Sequence, residues 1–171
     1  GELIFSLPFH VPRYFRPSLL EAFNLTNTNL GDIFAIYGVT AMLAYFPGGI
    51  LADRFDPKRL IITSLILTSL GGIYFSTIPN PLTLGILYGY WGLTTIFLFW
   101  AGLMRATRTW GGNNGQGKAF GFLDGGRGLT AAIFASVGVW LFSNAVPATK
   151  LIGVAERKSA LSTIILSYSL A

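Results

Sequence analysis

The sequence predicts an all-α membrane protein, a bundle of transmembrane helices, and three observations carry that prediction. Four apolar runs are long enough, or nearly so, to cross roughly 30 Å of hydrocarbon as helices. The first two are separated by an abrupt charged hinge, Gly48 to Arg59. Before it, Leu30 to Ala52 holds one ionisable residue, Asp32, and after it Leu60 to Pro79 holds none. Finally, the chain is 52% hydrophobic and only 11% charged, with a mean hydropathy of +0.58. A soluble domain carries about 25% charged residues to cover its surface. Drawing a hinge charge into hydrocarbon would cost at least about 2.5 kcal/mol, so the hinge holds the ends of both helices in water.

The elements follow in order. Leu3 to Phe9 is too short to span and is followed by Pro12, a poor helix-interior residue, so residues 1–16 read as the tail of a first helix. A signal peptide fits this start badly, because it has no basic n-region and no small-residue cleavage site. Whole helices are predicted at about 30–52, 60–78, 82–104 and 119–143. The second and third of these are joined by the uncharged turn Pro79-Asn80-Pro81, which makes them antiparallel neighbours. The fourth opens in a Gly-rich stretch and carries Asp124 and Arg127 before its clearly apolar part, Leu129 to Phe142. Residues 160–171 begin a further apolar run, the head of a sixth helix. The chain is therefore expected to be incomplete at both ends: four complete helices with partial first and sixth ones.

Charge placement sets topology and excludes other classes. A net charge of +5 would suit nucleic acid, but the basic residues sit at the ends of apolar runs and form no groove-lining stripe. The expected surroundings are the lipid bilayer of the cell membrane, crossed several times, with no nucleic-acid partner. Arg54, Lys58 and Arg59 in one loop and Arg105, Arg108 and Lys118 in another put both on the cytoplasmic side by the positive-inside rule. Lys150, Arg157 and Lys158 dissent, since alternation places them outside. Trp91, Trp100, Trp110 and Trp140 are candidates for interfacial belts. There is no cysteine, hence no disulfide or thiolate site. A single histidine, His10, and scattered carboxylates suggest no metal centre, catalytic triad or cofactor, and no enzyme is expected. The segment Gly112 to Ala119 has phosphate-loop spacing, but Ala119 lacks the hydroxyl that would ligate magnesium and the preceding segment is no strand.

Gly49-x-Leu51-Ala52-Asp53-Arg54-Phe55, with Lys58 three residues on, resembles the signature loop between the second and third helices of the major facilitator superfamily. Asp56-Pro57 stands where that signature usually has Gly-Arg. Asp-Arg followed by a polar-Pro-basic sequence is similar to the branch that exchanges organophosphates for phosphate. Arg13-Tyr14-Phe15-Arg16-Pro17 resembles the Arg-bearing end of that branch's first helix. The spacing from Trp110 through Gly117 to Arg127 resembles its connection between the fourth and fifth helices. The resemblance implies the N-terminal helical bundle of a twelve-helix transporter. The C-terminal half would lie outside this chain, and a small solute would bind between the halves.

The resemblance also assigns roles. In the gating loop, Gly49, Asp53, Arg54, Lys58 and Arg59 would close the cytoplasmic side, with Asp53 capping a helix end and Asp53-Arg54 latching to the other half. The plainer alternative is that the three basic residues only anchor topology. Arg127, about two turns inside the fifth helix, would meet the substrate oxyanion where that branch usually has histidine. The alternative is a pair with Asp124, three residues earlier on the same face. Arg16 would join it in clamping the anion, or else snorkel to the interface. The pairs Gly85-xxx-Gly89 and Gly121-xxx-Gly125 offer small faces for helix packing. The expected function is secondary transport of an organic anion, such as a phosphorylated or carboxylated metabolite, by rocker-switch alternating access. Proton-coupled transport of a sugar or drug, and a non-transporting structural or interaction module, are the alternatives.

Overall fold

The computed structural model describes residues 2–145 and 154–170. Among them every regular element is helical, and the helices form one bundle of six. The first, α1, is composite. A 3-10 turn at Leu3–Phe5, a π turn at Ser6–His10 and an α turn at Val11–Tyr14 run together, Phe15 leaves helical geometry, and Arg16–Phe23 resumes it. Pro8, Pro12 and Pro17 account for this irregularity, because each lacks an N–H and crowds the carbonyl of the preceding turn. Helix α1 thus runs past residue 16 to Phe23, where Asn24 at φ 53° ends it.

Local chemistry sets the other boundaries. Helix α2 (Asn27–Arg54) opens with a capping box: Thr26 Oγ1 accepts from the Asn29 amide at 3.1 Å and Asn29 Oδ1 from the Thr26 amide at 3.0 Å. Helix α3 (Pro57–Ser76) is started by the Asp56-Pro57 pair. Asp56 Oδ1 accepts from the Lys58 amide at 3.0 Å, and Pro57 fills the first helical position. Asn80 and Pro81 do the same for α4 (Pro81–Gly111), whose stretch Leu93–Trp100 is π-helical. Gly112, at φ 56°, ends α4. The Gln116 side-chain amide donates back to the Arg108 and Gly112 carbonyls as α5 (Gln116–Ala145) begins. The phosphate-loop look-alike is therefore a helix-to-helix turn. Helix α6 (Val154–Leu170) completes the bundle.

Helices α2 to α5 are each long and apolar enough to cross a membrane. They contain the runs expected at 30–52, 82–104 and 119–143, lengthened because polar caps and first turns fall outside an apolar run, while the run expected at 60–78 starts earlier, at Pro57, and stops at Ser76, short of Ile78 with its φ of 55°. The core gathers Val11, Leu19, Leu30, Phe75, Tyr88, Trp91, Leu161 and Ile165. Trp91 is wholly buried and donates to the Thr68 carbonyl at 3.2 Å, so it is a core anchor and no belt residue. Trp110 and Trp140 are exposed.

Glycines let α4 cross α2 closely. A Cβ on Gly85 or Gly89 would touch the Ile36 side chain, and one on Gly92 would meet the α2 backbone at Tyr37 and Ala41. Gly121 and Gly125 have nothing within 4 Å of an added Cβ, so the packing expected of that second pair is not made among the described residues. Helices α3 and α4 are stitched by hydroxyls: Ser64 Oγ donates to the Thr94 carbonyl at 2.6 Å, and Thr68 Oγ1 lies 2.9 Å from Thr94 Oγ1. In hydrocarbon, with no water to serve as partner, such pairing is what a buried hydroxyl requires.

Candidate functional site

Arg127 lies about three turns into α5, because the helix starts at Gln116 and not near Lys118. At 1.5 Å per residue it is roughly 16 Å from that end, near half the hydrocarbon thickness. Trp100 lies an equal number of residues from the end of α4 at Gly111, hence at similar depth. The Arg127 guanidinium carbon sits 5.1 Å from the Trp100 ring centroid and 5.9 Å from that of Phe5. A desolvated cation–π contact of this kind contributes about 2 kcal/mol, which offsets part of the cost of holding a cation at that depth.

The rest of the compensation comes from Glu2. Its Oε2 accepts from Arg127 Nε at 2.8 Å, while Oε1 lies 3.3 Å from His10 Nε2; Ser6 Oγ is 3.3 Å from His10 Nδ1. Asp124 reaches Arg127 Nη1 at 3.5 Å, a longer contact whose acid is 70% exposed. The pairing with Asp124 thus exists but is secondary. The principal partner comes from another helix. His10 is 8%, Glu2 15% and Arg127 25% exposed, so the cluster has a closed side on α1 and an open side on α5. Among the described residues, Nη2 of Arg127 has no hydrogen-bond partner and leaves two N–H donors for an oxyanion.

Arg16 is not part of this cluster. It is exposed at the break in α1, and its Nε donates to Asn27 Oδ1 at 2.9 Å at the opposite end of the helix from Glu2. Pro17 restarts the helix there and turns Arg16 outward, so the two arginines do not converge. Glu2 and His10 were missed by sequence reasoning. Glu2 is separated from Arg127 by 125 positions, and His10 stands out in the sequence only as a lone candidate for a metal centre or catalytic triad. A cleft of about 500 Å³ between α1, α3, α4 and α6 is walled by Leu7, Leu65, Phe99 and Leu103 and contains no charged residue. It suits apolar chains and lies apart from Arg127.

The hinge has its own architecture. Arg54, Asp53, Lys58 and Arg59 are exposed, and among the described residues none makes an ion pair. Gly49 is open, with nothing within 4 Å of an added Cβ. Asp53 caps nothing. The end of α2 is instead held by Arg105 of α4, whose Nη1 donates to the carbonyls of Ala52 and Phe55, the latter at 3.0 Å. A cation suits the negative end of a helix and an acid does not, which is why Arg105 takes the place expected of Asp53. At the other end of the bundle Arg157 pairs with Glu21 at 3.0 Å, which gives one of the dissenting cations a local partner. Lys150 lies outside the described residues.

Residues 4–151 match the family model described as Major Facilitator Superfamily. The chain is 29% identical to the inner membrane protein YqcE of Escherichia coli over 84% of its own length and 32% of the relative's. It is 27% identical to the inner membrane protein YihN of the same organism, over 84% and 34%. It is 30% identical to a probable hexose phosphate transport protein of Chlamydia muridarum, over 49% of this chain and 18% of that protein. The chain spans about a third of the length of the two E. coli relatives. No solved structure matches it significantly.

Proposed function

This chain belongs to the major facilitator superfamily and is a multi-pass protein of the cell membrane, and we propose that it forms the N-terminal half of a secondary transporter for a small organic anion. The cargo class is a phosphorylated or carboxylated metabolite, carried by rocker-switch alternating access against a second helical half. One observation carries the reading: a guanidinium at mid-depth, braced on Trp100 and Phe5, with its Nη2 nitrogen unpartnered among the described residues. An arginine at that depth faces a water-filled path or a partner, and beyond Glu2 and Asp124 this one keeps a nitrogen for a ligand. Its planar fork suits carboxylate or phosphate better than a neutral sugar. The name of the chlamydial relative, a probable hexose phosphate transport protein, points to the same class. At the hinge, Asp53, Arg54, Lys58 and Arg59 are the cytoplasmic latch toward the second half, and Arg105 fixes the helix end from which they project.

The test is the binding of glucose 6-phosphate and gluconate to the purified full-length protein and to its Arg127→Gln variant, with melting checked in parallel. A charged hydrogen-bond donor contributes about 1.5–3 kcal/mol, so affinity should fall roughly 10- to 100-fold. Arg127→Lys should recover only part of it, having charge without the fork. Unchanged affinity in a folded Arg127→Gln protein would remove Arg127 from the site and the anion reading with it.

A further inference from the structure

Glu2 holds Arg127 by half of the available fork. A carboxylate beside a guanidinium commonly accepts two parallel N–H bonds, and Nε with Nη2 forms one such side-on pair. Here Oε2 lies 2.8 Å from Nε, while Nη2 has no hydrogen-bond partner among the described residues. The second oxygen, Oε1, is drawn to His10 Nε2 at 3.3 Å. Asp124 approaches Nη1, at 3.5 Å, and leaves Nη2 alone as well.

His10 is itself held in place. The π turn Ser6–His10 sets both residues on the buried side of α1, and Ser6 Oγ lies 3.3 Å from His10 Nδ1. The ring is therefore fixed at both nitrogens, in either charge state. A neutral ring donates from Nε2 to Glu2 and accepts the Ser6 hydroxyl at Nδ1, whereas a charged ring donates from both. Arg13, three residues on, acts on the ring through its charge, but its guanidinium carbon sits 5.8 Å from the Tyr14 ring centroid and it makes no ion pair with Glu2. Among the described residues, His10 is thus the one group that competes with Nη2 for Oε1. Without it, a carboxylate already anchored at Nε need only turn about its Cγ–Cδ bond to close the fork. An incoming oxyanion would then have to break a bidentate pair.

We propose that His10, seated by Ser6, is a positioning residue that keeps the anion site open: it holds Oε1 of Glu2 off Arg127 and reserves Nη2 for the cargo oxyanion. The inference rests on the anion reading above and deepens it. It also sets the direction of approach. Glu2 takes the Nε side, so the cargo meets the guanidinium end-on, at Nη2 and at the Nη1 that exposed Asp124 holds only loosely.

The experiment is a double-mutant cycle on the full-length protein in lipid nanodiscs. Binding of gluconate and glucose 6-phosphate is measured at neutral pH for His10→Leu, Glu2→Gln and the double variant, with melting followed in parallel. His10→Leu should weaken both anions about tenfold, the lower end of what a charged hydrogen bond contributes. In the Glu2→Gln background the same change should have no effect, because no carboxylate remains to close the fork; a merely structural loss would persist there. His10→Gln, whose amide can donate to Oε1, should recover most of the affinity. Ser6→Ala should lower affinity severalfold with the same dependence on Glu2, and it carries the test if His10→Leu does not fold. Unchanged affinity in a folded His10→Leu protein, or an equal loss in both backgrounds, overturns the role of His10 and leaves the anion reading standing. No binding of either anion by the wild-type protein overturns both.

Discussion

Gly92→Ala isolates the packing that aligns α4 with α2, because the change is a single methyl group. Helix propensity favours the substitution: alanine is about 1 kcal/mol better than glycine in a helix interior. Packing opposes it. The new Cβ would lie 2.8 Å from the Tyr37 carbonyl oxygen and 3.1 Å from the Ala41 amide nitrogen, and it would strike the Thr40 hydroxyl. That hydroxyl is itself engaged on the Ile36 and Tyr37 carbonyls, at 3.0 and 2.9 Å. Two of the three obstacles are backbone atoms in mid-helix, so relief requires α2 and α4 to separate. Overpacking that shifts backbone costs about 3 kcal/mol at the upper end of its usual range, which leaves a net loss of about 2 kcal/mol. Gly89→Ala, on the same face, is the control. Its Cβ would be 3.3 Å from the Ile36 Cγ2 methyl and 3.5 Å from the Thr40 Cγ2 methyl, with no backbone atom in the way, so propensity and crowding should nearly cancel. The assay is thermal unfolding of the purified full-length protein in detergent, reading both variants against wild type. Gly92→Ala should melt several degrees lower and Gly89→Ala within about a degree. Equal losses at the two positions would refute the backbone-clash reasoning.

Two further outcomes concern the hinge. Asp56→Ala removes the cap on the Lys58 amide and should cost about 1 kcal/mol of stability, while Asp56→Asn should restore most of it, as read by thermal unfolding. Arg105→Gln should free the end of α2, since a charged donor to its last carbonyls is lost. Trypsin should then nick the 53–59 loop severalfold faster in inverted membrane vesicles, and Arg105→Lys, a point charge without the fork, should protect only partly.

What could be read in the sequence was what composition and chain-local chemistry decide. The four spanning runs and the charged hinge announce themselves because hydrocarbon tolerates so few charges. Asp56-Pro57 was legible as a departure from the family signature, but its meaning, a cap plus a first-turn proline, needed the start of α3 to be seen. Spacing alone could not tell which glycines face a neighbour: Gly85 and Gly89 meet Ile36, while Gly121 and Gly125, with the same spacing, meet nothing within 4 Å among the described residues. Tryptophan type could not separate Trp91, sealed in the core, from exposed Trp110. Asp124 was visible as a partner of Arg127 because it is three residues away. Glu2 was not, because only folding brings α1 and α5 together across 125 positions.

The two π-helical stretches connect this packing to the ion cluster. One, Ser6–His10, lies in α1 and ends at the histidine that faces Glu2; the other, Leu93–Trp100, lies in α4 and ends at the ring under Arg127. Such i→i+5 turns are rare and gather at functional sites. Pro8 gives a local cause for the first. The second contains no proline, and its backbone is served from outside. Thr95 Oγ1 donates to the Trp91 carbonyl at 2.6 Å, Ser64 of α3 serves the Thr94 carbonyl, and Tyr37 of α2 meets Thr95 Oγ1 at 2.7 Å. Gly92 fixes where the stretch begins by crossing α2, and the neighbouring hydroxyls hold its middle. Trp100, at its end, is held by an edge-on contact with Phe5 and by the Arg127 cation over its ring, so a change at Arg127 alters its support directly. A change at Arg127 would therefore reach α1 and α4 at the places where each has already left α-helical bonding. There a small rotation need not break a regular i→i+4 ladder, as it would at any point along the uninterrupted α-helix of α3.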